Sequence, residues 1–110
     1  MVIWSNRDLQ SSFRLLNKRF FNSACPTTTV CKFVDPEDID YDDGESSGEE
    51  IWINSDLRRH PDLCLIVLLH EMTHVAQPDY IGWPKEERHG SLNQALIGEL
   101  YKKGAYDGLL

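Results

Sequence analysis

The stretch LLHEMTHVAQ, residues 68–77, carries the densest chemistry in the chain. His70 and His74 stand four residues apart, so on a helix they point from one face, a turn apart. Two imidazoles at that spacing can ligate one Zn²⁺ at bond lengths of about 2.0–2.1 Å. Glu71, about 100° round the same helix, can reach a metal-bound water and act as general base. The plainer reading is a helix with two incidental histidines. Its difficulty is desolvation: a carboxylate and two histidines inside LIVLLHEMTHVA are costly to bury alone, and a metal satisfies all three.

A catalytic zinc takes a third protein ligand and leaves its fourth position to water. The metzincin spacing needs a histidine six residues after the second motif histidine; Tyr80 stands there, which rejects that pattern. Two candidates stay open. Glu99, inside SLNQALIGELYKK, is either a glutamate ligand supplied by a later helix or an ordinary exposed helical residue. His89, in ERHGS, is either a ligand or an unpartnered loop histidine, and Gly90 after it permits close backbone approach or positive φ. His60, in RRHPD, reads as a loop or cap residue rather than a fourth ligand.

Several elements must hold these groups. SNRDLQSSFRLLNKRFF reads as an amphipathic helix with Leu9, Phe13, Leu16 and Phe20 in one apolar stripe and Ser5 with Asp8 as a capping arrangement. Residues 27–34, TTTVCKFV, and 49–56, EEIWINSD, are strands by their β-branched and aromatic content. One continuous polar loop joins them, so an antiparallel hairpin is the simplest topology. The motif helix starts at Pro61 and Asp62, is apolar on nearly all sides and is expected to be buried. SLNQALIGELYKKG is a last helix, with Ser91 and Gln94 in capping-box spacing and Gly104 as its stop.

The 110 residues allow one domain, 1–110, with a modest core, and 41% hydrophobic with 26% charged residues is ordinary for a folded chain. The longest apolar run, CLIVLL, is far shorter than the ~20 residues of a membrane span. Without a signal-like start, and with three cysteines in no CxxC pair, the expected setting is cytoplasmic. The net charge of −7 is concentrated: residues 35–50 hold nine acidic side chains and no Lys or Arg, which leaves the remainder at nine acidic against eleven basic. That balance gives no support for nucleic-acid binding, although Arg14, Lys18 and Arg19 form a local basic group. The acidic stretch reads first as a solvated hairpin tip and second as a gate or docking surface for a basic partner.

HEMTH, a gap spanning residues 75–88 and then His89-Gly90 resemble the SprT-like metallopeptidases, which include the Spartan proteases of DNA–protein crosslinks. The likeness runs from about Leu9 to Leu100, with LNKRFF closing an N-terminal helix and EEIWINSD leading into the motif helix. After the histidine the family usually continues HGPxF, whereas this chain reads HGSLN. The resemblance implies a small zincin-like α+β domain, one Zn²⁺ held by His70, His74 and His89, and Glu71 as catalytic base. It implies a protein or peptide substrate, with DNA-associated proteins among the candidates. The substrate is expected along an exposed edge of the second strand, at Trp52, Ile53 and Asn54, with Trp52 and Trp83 shaping pockets and Tyr80, Tyr101, Tyr106 or Arg88 steadying the oxyanion. Two other readings stand beside it. One is an ImmA/IrrE-like regulatory metallopeptidase, favoured by Glu99 on the metal. The other is a non-catalytic zinc-binding interaction module whose fourth position is closed by Cys64, His60 or an acidic group.

Overall fold

Ser5 opens the first helix, α1 (Asn6–Phe20), with a complete capping box. Its Oγ accepts from the Asp8 N–H at 3.3 Å, and the Asp8 carboxylate accepts from the Ser5 N–H at 2.9 Å. The bond from the Ser5 N–H, and after it one from the Ser5 hydroxyl at 3.0 Å, hold the Asp8 carboxyl below its ordinary range. The structure, a computed structural model, describes residues 2–39, 43–47, 49–76 and 91–109, without the side chains of 91–96. On α1 the expected stripe is present: Leu9 and Phe13 are fully buried, with Leu16 and Phe20 packed beside them. Asn17 joins them in the interior. It donates to the Cys25 carbonyl at 2.9 Å and accepts from the Cys25 N–H at 3.0 Å. This double bond pins a turn that passes through Asn22 and Ser23 at φ 51° and 60°, left-handed backbone that needs outside support in residues other than glycine.

The strands correct the expected hairpin. β1 (Val30–Val34) and β3 (Glu50–Asn54) are neighbours, but they run parallel, with Cys31 opposite Ile51 and Phe33 opposite Ile53. Residues 35–49, which separate them, are long enough for a crossover, and a parallel pair needs about a dozen or more residues to make one. The acidic stretch is not all loop. It holds a 3₁₀ turn at Pro36–Asp38 and a third strand, β2 (Gly44–Ser46), antiparallel to β3, with the Ser47 N–H bonded to the Glu50 carbonyl at 2.9 Å. The sheet order is β1-β3-β2, so β3 is central.

One sheet face carries Cys31, Ile51 and Ile53, all buried, and the helices close over it to make the core. The other face carries Lys32 and Glu45, both opposite Trp52, and Lys32 pairs with Glu50 at 3.2 Å. The result is an α+β fold of three helices and a three-stranded mixed sheet among the described residues.

After a 3₁₀ turn at Ser55–Arg59, α2 (Pro61–Ala76) begins at Pro61, as expected. Its burial is uneven. The first turns are half-open, with Leu63 46% exposed, and the buried run from Leu68 to His74 is broken only at half-buried His70. α3 (Ser91–Lys102) ends in a Schellman turn: Ala105 N–H bonds the Leu100 carbonyl, Gly104 N–H bonds the Tyr101 carbonyl, and Gly104 takes φ 84°. The expected capping pair Ser91 and Gln94 lies outside the described side chains. Among the described residues no helix is long and apolar enough to cross a membrane.

Candidate metal centre

α2 delivers its two histidines to one point. The Nε2 atoms of His70 and His74 lie 3.3 Å apart, with the rings nearly perpendicular at 87° and centroids 4.9 Å apart. Two nitrogens on adjacent corners of a tetrahedral zinc, each bonded at about 2.0–2.1 Å, would be separated by roughly 3.3–3.4 Å. The same separation also admits a long N–H···N bond between two neutral rings of opposite tautomer. Burial holds the His70 imidazole below its usual pKa, which favours the neutral form a metal requires. Thr73 Oγ1 donates to the His70 carbonyl, a local bond within the helix turn that bears the pair.

Glu71 is buried at 7% exposure, in a run with Met72 and Thr73, which are fully enclosed. Met72 ties this segment to the turn after α1, since its carbonyl accepts from the Cys25 Sγ at 3.6 Å.

The remaining expected residues divide sharply. His89, with Gly90, Tyr80, Trp83 and Arg88, lies outside the described residues. Glu99 is exposed on α3, and among the described residues no third His, Cys, Asp or Glu forms a metal-holding group with the pair. Cys64 donates its thiol proton to the Leu57 carbonyl at 3.0 Å, and it sits about 9 Å up the helix axis from His70. His60 is exposed, and its carbonyl accepts from Cys64 N–H where α2 begins. Tyr101 is 66% exposed, while Tyr106 packs against the core, and burial pushes its phenol up.

β3 is paired on both sides, so its backbone offers no edge to a substrate. This corrects the expected strand-addition edge at Trp52, Ile53 and Asn54; Ile53 is fully buried, and Trp52 and Asn54 are half-buried. The sheet's two outer strands are treated differently by the rest of the fold, which sequence reasoning missed. Along β1, α1 supplies a substitute strand. Gln10 donates to the Thr29 carbonyl at 3.0 Å and accepts from the Cys31 N–H at 2.9 Å, while Asn6 accepts from the Phe33 N–H at 2.8 Å. The signal was present as two amides one turn apart on α1, but nothing local names their partners.

β2 has no such cover among the described residues. Asp43 accepts from Asn54 N–H and Ser47 donates to the Glu50 carbonyl, so the intervening alternation turns the backbone groups of Gly44 and Ser46 away from β3. β2 also lies tight on the motif helix. A Cβ at Gly44 would stand 2.8 Å from the Trp52 carbonyl oxygen and 3.0 Å from Val67 Cγ1. Val67 precedes His70 by three residues and His74 by seven, so the strand rests on the helical stripe that continues into the pair.

A cleft of about 510 Å³ opens elsewhere, at the carboxyl ends of β1 and β3, lined by Ser5, Lys32, Phe33, Asp35 and Arg58 among others. It contains none of the expected metal or catalytic residues. Comparison with protein-family models, curated proteins and solved structures finds no match to the chain.

Proposed function

We propose that this domain is a zinc-dependent endopeptidase of SprT-like, zincin-like type, with His70 and His74 as ligands, His89 as the third and Glu71 as general base. The observation that carries the reading is the 3.3 Å separation of the two Nε2 atoms on the more enclosed half of α2, in the same segment as a buried carboxylate. The donor set fits zinc, for which neutral imidazole is a common ligand. Bound there, zinc supplies Lewis acidity and brings the pKa of its water toward ~7. Glu71 accepts the proton of the attacking water and passes it to the departing amine; the C–N bond breaks, leaving a carboxylate and an amine. The β2 backbone at Gly44 and Ser46 takes the place first expected of β3, holding the substrate extended by strand addition beside the histidine stripe.

Metal analysis paired with Glu71→Gln tests this. The variant should keep one equivalent of zinc and lose hydrolysis by about 10³-fold or more. Full activity in that variant rules out Glu71 as base. His89→Ala should lose zinc while Glu99→Ala keeps it; the reverse result moves the third ligand to α3.

A further inference from the structure

The cleft of about 510 Å³ takes no part in the metal centre, yet it has the size of a small-molecule site, roughly 300–1,000 Å³. It opens beyond the carboxyl ends of the parallel strands β1 and β3, which is where open parallel sheets bind ligands. Arg58 forms part of its wall. The Arg58 Nε donates to the Trp4 carbonyl at 2.7 Å, and the Arg58 carbonyl accepts from the Trp4 N–H at 2.9 Å. Its guanidinium carbon stands 5.8 Å from the centre of the Phe33 ring. The fork is therefore held at one corner, while its terminal nitrogens meet no carboxylate among the described residues.

Asp35 and Asp38 line the same cleft from the 3₁₀ turn after β1. Both are exposed, and neither pairs with a Lys or Arg among the described residues. Lys32, the cleft's other cation, is taken by Glu50 at 3.2 Å. The backbone adds unmet groups of its own. Successive residues of a parallel strand turn their N–H and C=O groups to opposite sides. The Thr29 carbonyl and the Cys31 and Phe33 N–H groups turn away from β3, and the amides of α1 meet them. That cover stops at Asn6. The next groups on the same side, the Phe33 carbonyl and the Asp35 N–H, bond no described residue, and both residues line the cleft.

The class of ligand follows from these charges. A lone anion would face two carboxylates, and a lone cation would face Arg58 and leave its fork unused. A molecule that carries both signs a few bonds apart engages both. We propose that this cleft binds a small zwitterion of the α-amino acid class, free or as a short peptide. Its carboxylate meets Arg58, its ammonium lies toward Asp35 and Asp38, and an apolar side chain rests against Phe33. The site goes beyond the endopeptidase reading, and neither depends on the other.

Titration of the full chain tests it, by calorimetry and by amide chemical shifts. Leucine and leucyl-leucine are the zwitterions; N-acetyl-leucine and leucinamide each lack one charge. At least one zwitterion should bind saturably with a Kd on the order of 1 mM, and the tighter of the two identifies the occupant as free acid or short peptide. Shifts should centre on Phe33, Asp35 and Arg58, and each capped control should bind about tenfold more weakly. Arg58→Gln should bring leucine and leucinamide to nearly equal affinity. Asp38→Asn, whose side chain bonds no described residue, should narrow the gap between leucine and N-acetyl-leucine. Should Arg58→Gln loosen the fold, the Asp38→Asn comparison decides alone. Failure of both zwitterions to saturate below about 20 mM overturns the proposal, and so does equal binding of either capped control.

Discussion

The two outer strands of the sheet face the same hazard and meet it in opposite ways. β1 ends in a row of backbone groups that Gln10 and Asn6 occupy from α1. β2 leaves Gly44 and Ser46 turned outward, and among the described residues only its shortness and negative charge protect it. A fold that needed both edges merely silenced could have covered both. The difference teaches that closure by side-chain amides excludes every partner, whereas closure by charge excludes only partners of the same sign. The open edge is also the one lying on the helix that bears the histidines.

Breaking the covered edge should have the largest effect on stability. Gln10→Ala leaves the Thr29 carbonyl and Cys31 N–H without their partner in a partly buried setting, at about 1–3 kcal/mol for each group. Urea unfolding should show a total loss of about 2–6 kcal/mol, with concentration-dependent association as a second sign. An unchanged midpoint would mean that the amide bridge carries no weight.

Gly44→Ala attacks the other edge by volume. Its methyl meets the Trp52 carbonyl and Val67, so β2 must lift, at about 1–3 kcal/mol. Peptide cleavage should fall further than stability does, because the strand leaves the histidine stripe. Equal losses in both would disconnect β2 from the site.

Titration separates the edges by chemistry. Burial pushes the Cys31 thiol on β1, and the Cys25 thiol near it, up to about 12 from an ordinary 9.0. A raised thiol pKa favours the folded state only while the unfolded thiol stays protonated, so stability holds below pH 9 and declines from there toward 12. Cys31→Val should flatten that decline in unfolding midpoints measured from pH 8 to 10.5. A slope that stays the same would assign the alkaline loss to other groups.

The smallest effect is expected at the Lys32–Glu50 pair, which is 38% exposed on both sides. Glu50→Gln should cost less than about 1 kcal/mol by thermal unfolding, and high salt should erase the difference.

What could be read from the amino acids follows from how local each requirement is. The histidine pair is fixed by a spacing of one helical turn, so its convergence was visible in HEMTH. The capping box at Ser5 and the stop at Gly104 are equally local, and both form as expected. The direction of β1 relative to β3 is not local, since it depends on where the connection crosses. β2 was hidden for another reason: Gly-Glu-Ser has poor strand preference, and its pairing is enforced by β3 and by the close fit on Val67. Asn17, a polar residue within a helical pattern, gave no sign of its two bonds to Cys25.

If zinc binds as proposed, with His89 as third ligand, the Schellman turn at the end of α3 would bear on it from a distance. Leu100 and Ala105 anchor that end in the core, and Lys103 reaches the Phe20 carbonyl at 3.4 Å. The helix then extends 12 residues back toward Ser91, about 18 Å, and His89 lies two residues beyond in sequence. Such a rod is a lever pivoted at the end remote from its load. A tilt of about 5° at the pivot displaces the Ser91 end by roughly 1.5 Å, enough to spoil the proposed ligation. Gly104→Val, strained at φ 84°, should therefore lower zinc occupancy out of proportion to its effect on the unfolding midpoint.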